Sequence, residues 1–360
     1  MTIRQRADPQ RVIFSALGAL GLAKGADSFF LICQCLGTII PYSVPEDLGY
    51  SVCTMTTSTS MISKQPLVVN VASVPQRSPF RYPGGKTWLV PYLRAWLRSW
   101  PKRPMFFIEP FAGGAITSLT VAAENLADKV IFGELDEDVA AVWHTILGGH
   151  AGWLAGRIVN FEITRSNVLE ALGHTAKSTR ELAFQTILRN RVNRGGIMAP
   201  GASMVKQGEN GRGIASRWYP GTLARRIFAI AAMKERMAFF HGDALAWIGD
   251  YLHNPDTVFF VDPPYTAGGK RAGKRLYVHN QVDHESLFGL MARAMGPVML
   301  TYDDSTDVRA LAKRHGLSVH MVPMKNTHHA LLHELIITNG KGRVPSGLTP
   351  RTLFPQHASA

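Results

Sequence analysis

Two hydrophobic patterns divide this 360-residue chain. Short continuous apolar runs bounded by turn residues read as buried strands at residues 106–108, 130–132, 258–261, 298–301 and 334–338. A longer apolar stretch, 116–127, reads as a helix directly behind the first of them. From about 152 to 236 the pattern turns helical and basic, with few strand runs, and looks like an insertion between two halves of an α/β body. Residues from about 340 onward, rich in Pro, Gly and Ser, read as a mobile tail.

Three strand-adjacent segments carry the candidate chemistry. The run at 258–261 ends in Asp262-Pro263-Pro264-Tyr265. A carboxylate, two prolines and an aromatic at a strand's C-terminal end make a compact clamp for a flat, amino-bearing ring. Asp262 accepts from an exocyclic NH2, proline fixes a carbonyl and removes a competing N–H, and Tyr265 stacks on the ring. Methylation of a nucleobase amino group needs such a clamp, although an ordinary strand-to-loop turn has the same letters. The run at 106–108 passes into Glu109-Pro110-Phe111-Ala112-Gly113-Gly114-Ala115 and then the helix. That order lets a cofactor approach backbone N–H groups at a helix start. After 130–133 come Glu134 and Asp136, acids placed to grip ribose hydroxyls. Without a full G-x-G-x-x-G, a dinucleotide is the weaker cofactor reading. Taken alone, the glycine pair is equally a turn and Glu134 a solvated charge. The third segment is Phe80-Arg81-Tyr82-Pro83-Gly84-Gly85-Lys86. Its glycines permit a tight bend, Lys86 offers a point charge for a carboxylate, and Tyr82 offers a ring face. By itself it is also a linker turn with an exposed lysine.

Taken in chain order, Arg81–Lys86, then Glu109–Ala115, then Asp262–Tyr265, the three segments resemble the Dam-like, D12-class (alpha-group) family of adenine-specific DNA N6-methyltransferases. The resemblance runs from about Ser78 to Asn339 and takes in Asn190-Arg191 with Gly195-Gly196, Arg217-Trp218-Tyr219, and Leu300-Thr301-Tyr302-Asp303-Asp304. It implies a doubly wound, mixed seven-stranded sheet of the class I S-adenosylmethionine-dependent methyltransferase type, with an inserted, mostly helical target-recognition region. The runs at 298–301 and 334–338 match strands that complete such a sheet, one of them antiparallel. Domain bounds follow: a cofactor-binding half at 61–151, a target-recognition insertion at 152–236, a second catalytic half at 237–340, and the tail at 341–360.

The resemblance also implies S-adenosyl-L-methionine as cofactor and double-stranded DNA as partner. Carried over residue by residue, the cofactor set is Tyr82, Lys86, Glu109, Phe111, Gly113, Gly114, Glu134, Asp136, Asp243 and Asp262. The catalytic set is Asp262, Pro263, Pro264 and Tyr265. The family more often has Asp where this chain has Glu134, and Asp136 is a substitute within reach. Asp243 is equally ordinary as a helix cap. Hydrogen bonds from adenine N6 to the Asp262 carboxylate and the Pro263 carbonyl would localise the nitrogen lone pair and stabilise its developing positive charge. A duplex base must leave the stack for this chemistry, which makes Tyr265 the expected platform. Lys270, Arg271, Lys274 and Arg275 follow in a glycine-rich loop suited to flanking phosphates, or simply to solvent. Arg191, Arg194 and Arg217 are the expected DNA contacts of the insertion, and Trp218 the expected core anchor.

Composition supports a polyanion partner, with 39 Lys and Arg against 26 Asp and Glu, a net +13. No metal is expected: among thirteen histidines the densest group, His328-His329 with His333, reads as a loop and strand start. The first sixty residues stand apart. Their four cations balance four acids, they hold Cys33, Cys35 and Cys53, and their apolar stretch 28–40 is too short to span a bilayer. We read 1–60 as a poorly ordered extension with a start near Met61, and the enzyme as cytoplasmic, where its cofactor and DNA are. Three other readings stay open: amino methylation of another base or of RNA, methylation of a protein amide, and a DNA-binding regulator without turnover. A restriction-modification setting, with an endonuclease partner, lies outside what the sequence holds.

Overall fold

The computed structural model describes residues 71–267, 278–279, 281–325 and 331–341. The chain divides into two compact units, Met1–Met61 and Ile62–Ala360, and every described residue lies in the second. The expected extension at 1–60, the loop cations Lys270, Arg271, Lys274 and Arg275, the pair His328-His329 and the tail beyond 341 lie outside the described residues.

Seven strands among the described residues form one sheet: β1 (Phe106–Glu109), β2 (Lys129–Glu134), β3 (Met237–His241), β4 (Thr257–Val261), β5 (Val298–Asp303), β6 (Ser318–Lys325) and β7 (Leu331–Thr338). Their spatial order is β3-β2-β1-β4-β5-β7-β6, parallel except that β7 runs antiparallel to both neighbours. This is the mixed, doubly wound sheet of the class I methyltransferase type expected above. All five strands read from the sequence are present, each extended by one to three residues. The two edge strands carry weaker signals. β3 is largely exposed beyond Met237, and β6 contains Pro323, which only an edge position tolerates.

The helices are α1 (Val90–Arg98), α2 (Ile116–Ala123), α3 (Glu137–Thr145), α4 (Ala151–Val159), α5 (Arg165–Gly173), α6 (Thr179–Val192), α7 (Pro220–Ala231), α8 (Ala244–Trp247), α9 (His284–Arg293) and α10 (Thr306–Arg314). Side-chain oxygens start several of them: Asp136 accepts from Asp138 N and Val139 N at α3, and Ser178 accepts from Glu181 N at α6. Helix α2 stops four residues short of the apolar stretch that predicted it, because Asn125 turns left-handed at φ 54°.

Alternate strand residues serve opposite faces. Phe107, Phe132, Val258 and Phe260 pack on one side with α1 to α3, in a cluster that continues into the insertion through Leu154, Ile187, Trp218 and Ile227. Ile108, Ile131, Phe259 and Val261 face the other side, against Leu287, Phe288 and Met291 of α9 and Val308 of α10. Every residue of β4 is buried, which is why its sequence lacks polar alternation. Each large side chain so buried contributes roughly 1.5–3 kcal/mol relative to exposure. The insertion therefore extends the same core, and Trp218 is the anchor expected of it.

Strand order reverses between β1 and β4, the position at which open α/β sheets leave a crevice beyond their strand ends. Glu109, Glu134 and Asp262 end or follow β1, β2 and β4, so one parallel register delivers three acids to that crevice.

Candidate functional site

A cavity of about 1140 Å³ opens at this reversal. Tyr82, Lys86, Glu109, Phe111, Gly113, Gly114, Glu134, Asp136, Asp243, Asp262, Pro264 and Tyr265 all line it, so nine residues drawn from three distant motifs, together with Glu134, Asp136 and Asp243, meet in one space. Pro263 is buried and is not among the lining residues.

The glycine turn is shaped first by the protein. Gly113 has φ +48°, and a Cβ there would lie 2.4 Å from Tyr82 Cε1; a Cβ on Gly114 would lie 2.8 Å from Tyr82 Cβ. Both glycines are thus required by the seat of Tyr82 as well as by any ligand. Gly113 N donates to Glu134 Oε2 at 2.9 Å, while Glu134 Oε1 accepts from Leu135 N and Asp136 N at 2.8 and 3.0 Å. Burial pushes the Glu134 carboxyl up to about 7 against those three donors. Burial likewise pushes Glu109 up to about 7; its Oε2 accepts from Ser118 N at 2.8 Å. Asp136, raised by burial too, caps α3, and Asp243 caps α8 by accepting from Leu245 N.

The opposite wall is built around Asp262. Three donors converge on its Oδ1: Lys86 Nζ at 2.9 Å, Thr301 Oγ1 at 2.6 Å and the Tyr265 hydroxyl at 3.0 Å. No donor among the described residues reaches Oδ2. Lys86 is buried, and its three protons have three acceptors in Asp262 Oδ1, Glu334 Oε1 at 3.3 Å and Gly84 O at 2.9 Å. Sequence reading expected this lysine to meet a cofactor carboxylate; here its charge is spent on protein carboxylates. Tyr265 also contacts Glu334 Oε1, and its ring stacks on Tyr302 with centroids 5.5 Å apart and planes 20° apart. Lys86 Nζ lies 5.0 Å from the Tyr265 centroid. The expected base platform is therefore packed into the wall in this conformation. Burial, reinforced by Asp262, raises the Tyr265 phenol well above its ordinary value.

Glu334 was missed as a site residue. It is 5% exposed, its carboxyl raised by burial with Lys86 opposing, and its Oε2 has no hydrogen-bond partner among the described residues. A charge opening an otherwise apolar strand was the available signal.

The insertion's cations fall differently from expectation. Arg191 is 5% exposed and donates to the Pro79 carbonyl, and burial lowers it to about 9 with Arg226, Arg81 and Arg217 repelling it. It braces the C-terminal turn of α6 to the segment before Tyr82, and with Arg226 it also lines the cavity. Its neighbour Asn190 accepts from Arg81 N at 2.9 Å and donates to Arg81 O at 3.1 Å and Gly196 O at 2.8 Å. Arg226 Nη1 adds a bond to Ser78 O at 2.9 Å. Arg194 is exposed and Arg217 half-buried, and neither lines the cavity. Among the described residues, no group of His, Cys, Asp and Glu is placed to hold a metal, and no helix is long and apolar enough to cross a membrane.

No protein-family model and no curated protein matches the chain. Solved structures similar to it include the rRNA methyltransferase aviRa from Streptomyces viridochromogenes, at 13% identity over 72% of this chain and 87% of that one, with a TM-score of 0.36. TrmN from Thermus thermophilus is similar at 15% identity over 68% and 47%, TM-score 0.31. Precorrin-6y C5,15-methyltransferase from Geobacter metallireducens is similar at 10% over 69% and 87%, TM-score 0.30. Likeness at this level bears no functional argument; strand order and register define the architecture.

Proposed function

We propose that the chain is an S-adenosyl-L-methionine-dependent methyltransferase acting on adenine N6 of DNA. The observation that carries this reading is the loading of Asp262: among the described residues, Oδ1 takes three donors and Oδ2 takes none, in a cavity at the C-terminal end of β4. A carboxylate so divided is held on one oxygen and open to an amino group on the other.

The acids of the cavity suit the cofactor by their chemistry. Glu134, Asp136 and Asp243 offer acceptors for ribose hydroxyls and amines, the Gly113-Gly114 turn offers a close backbone approach, and the Tyr82 ring covers that turn. When bound, S-adenosyl-L-methionine supplies a methyl group on a positively charged sulfur. The protein's part is then electrostatic and geometric. Asp262 Oδ2 accepts an N–H group of the target amine, which helps keep the lone pair on nitrogen and offsets the positive charge that nitrogen gains. Lys86 and Thr301 hold the carboxylate in place through Oδ1. The amine, not the ring, is what this clamp selects. A basic chain supports nucleic acid as its carrier.

Purified protein incubated with unmethylated DNA and tritiated S-adenosyl-L-methionine should yield labelled N6-methyladenine, absent with Asp262→Ala. Label in RNA, in cytosine or in a glutamine peptide instead would reassign the substrate. Cofactor binding with transfer to none of them would leave a binding protein with this fold.

A further inference from the structure

Glu334 opens a fully buried apolar stretch of β7, Leu335 to Ile337, and is itself 5% exposed. Burying a carboxylate there is expensive unless its partners repay it. Both partners, the Lys86 ammonium and the Tyr265 hydroxyl, sit on Oε1. Both also reach Asp262 Oδ1. Two of the three donors that load the clamp carboxylate are therefore shared with Glu334, and only Thr301 is independent of it.

We propose that Glu334 is a positioning residue of the amine clamp: it holds Lys86 and Tyr265 against Asp262 Oδ1, and so keeps Oδ2 for the target amino group. The inference rests on the methyl-transfer reading above and goes beyond it. Without Glu334, Lys86 loses one of its two described carboxylate partners, and the single Tyr265 phenolic proton loses the carboxylate that fixes the hydroxyl beside Asp262. Asp262 is then held by fewer fixed donors. The charged and titratable groups facing Glu334 are Lys86 from the segment ahead of α1, Asp262 and Tyr265 after β4, and Asp303, its register partner on β5; its partner on β6, Val322, is apolar.

The test is Glu334→Gln in the full chain, assayed with DNA and S-adenosyl-L-methionine. We expect kcat to fall at least ~10-fold with KM for both substrates held within about 2-fold, since positioning acts on the transition state. In the wild type, protonating Glu334 loosens its hold, so kcat falls as pH drops through the raised carboxyl; the variant should lack that part of the acid limb and keep only what Glu109 and Glu134 contribute. A third readout needs no turnover. The Glu334 charge helps keep the Tyr265 phenol protonated, so in E334Q the Tyr265 difference absorbance, referenced to Tyr265→Phe, should appear at lower pH. Wild-type kcat with an unchanged acid limb would overturn the proposal. If the wild type methylates no DNA, RNA or glutamine peptide, the methyl-transfer reading falls and the clamp role falls with it, whereas unchanged Tyr265 ionisation in E334Q overturns the Glu334–Tyr265 contact itself. Should E334Q not unfold cooperatively, Tyr265→Phe removes the shared hydroxyl and leaves every charge; it should lose kcat at constant KM, and wild-type kcat there also overturns the proposal.

Discussion

The Lys86 ammonium stands between two carboxylates, 2.9 Å from Asp262 Oδ1 and 3.3 Å from Glu334 Oε1. Its side chain is 6% exposed, and the two acids 19% and 7%. Lys86→Met would leave two buried anions without a cation, at a cost of about 3–5 kcal/mol in urea unfolding at pH 8. The cost should shrink as pH falls, because Glu334, raised by burial, takes up a proton and removes one of the opposed charges. Equal stability of variant and wild type at pH 8 would show that the ammonium does not neutralise this pair.

Glu109 predicts a pH slope of the opposite sense to a salt-bridged acid. Burial raises its carboxyl to about 7, whereas in the unfolded chain it titrates normally, near ~4.3. Between those pH values the folded state binds the extra proton, so stability declines as pH rises through the window and levels off above it. The decline from this group amounts to about 4 kcal/mol at most. Glu134, raised to about 7 as well, acts in the same direction. Glu109→Gln should flatten the wild-type decline between pH 5 and 8 in denaturant titrations; parallel curves would count against a buried, protonated Glu109.

Gly113→Ala should damage the protein through Tyr82. The new methyl group would sit 2.4 Å from the ring in a left-handed residue, costing about 1–2 kcal/mol in backbone strain alone. We expect labelled S-adenosyl-L-methionine to bind at least ~10-fold more weakly in equilibrium dialysis, by displacement of the ring and turn. Adding Tyr82→Ala should recover stability in the double variant. Independent, additive losses would show that the clash is relieved elsewhere.

Asn190 ties the insertion to the segment that carries Tyr82. Asn190→Ala removes bonds to Arg81 N, Arg81 O and Gly196 O, and should cost about 2–4 kcal/mol. Exposed Arg194→Ala should stay within about 0.5 kcal/mol of wild type while weakening DNA binding. Urea unfolding and a DNA-binding titration of the two variants separate brace from surface; a neutral Asn190→Ala would remove the brace.

Local letters alone determined much of this protein. The runs ending at Glu109, Glu134 and Asp262 marked three parallel strands, because a strand buried on both faces cannot alternate. The glycine pair, Lys86 and the Asp262 clamp were legible because their chemistry is carried by a few adjacent residues. Partnership was not legible, since it joins residues far apart in the chain. Nothing beside Arg191 announced that the Pro79 carbonyl, 112 residues earlier, would accept its hydrogen bond in a buried contact. Nothing beside Glu334 announced that Lys86 and Tyr265 would meet its carboxylate, for that meeting depends on β7 running antiparallel beside β5. Sequence set which groups exist and which strands carry them; tertiary structure decided which charges share a site, because a carboxylate's partners are chosen by distance in space and the low dielectric around them.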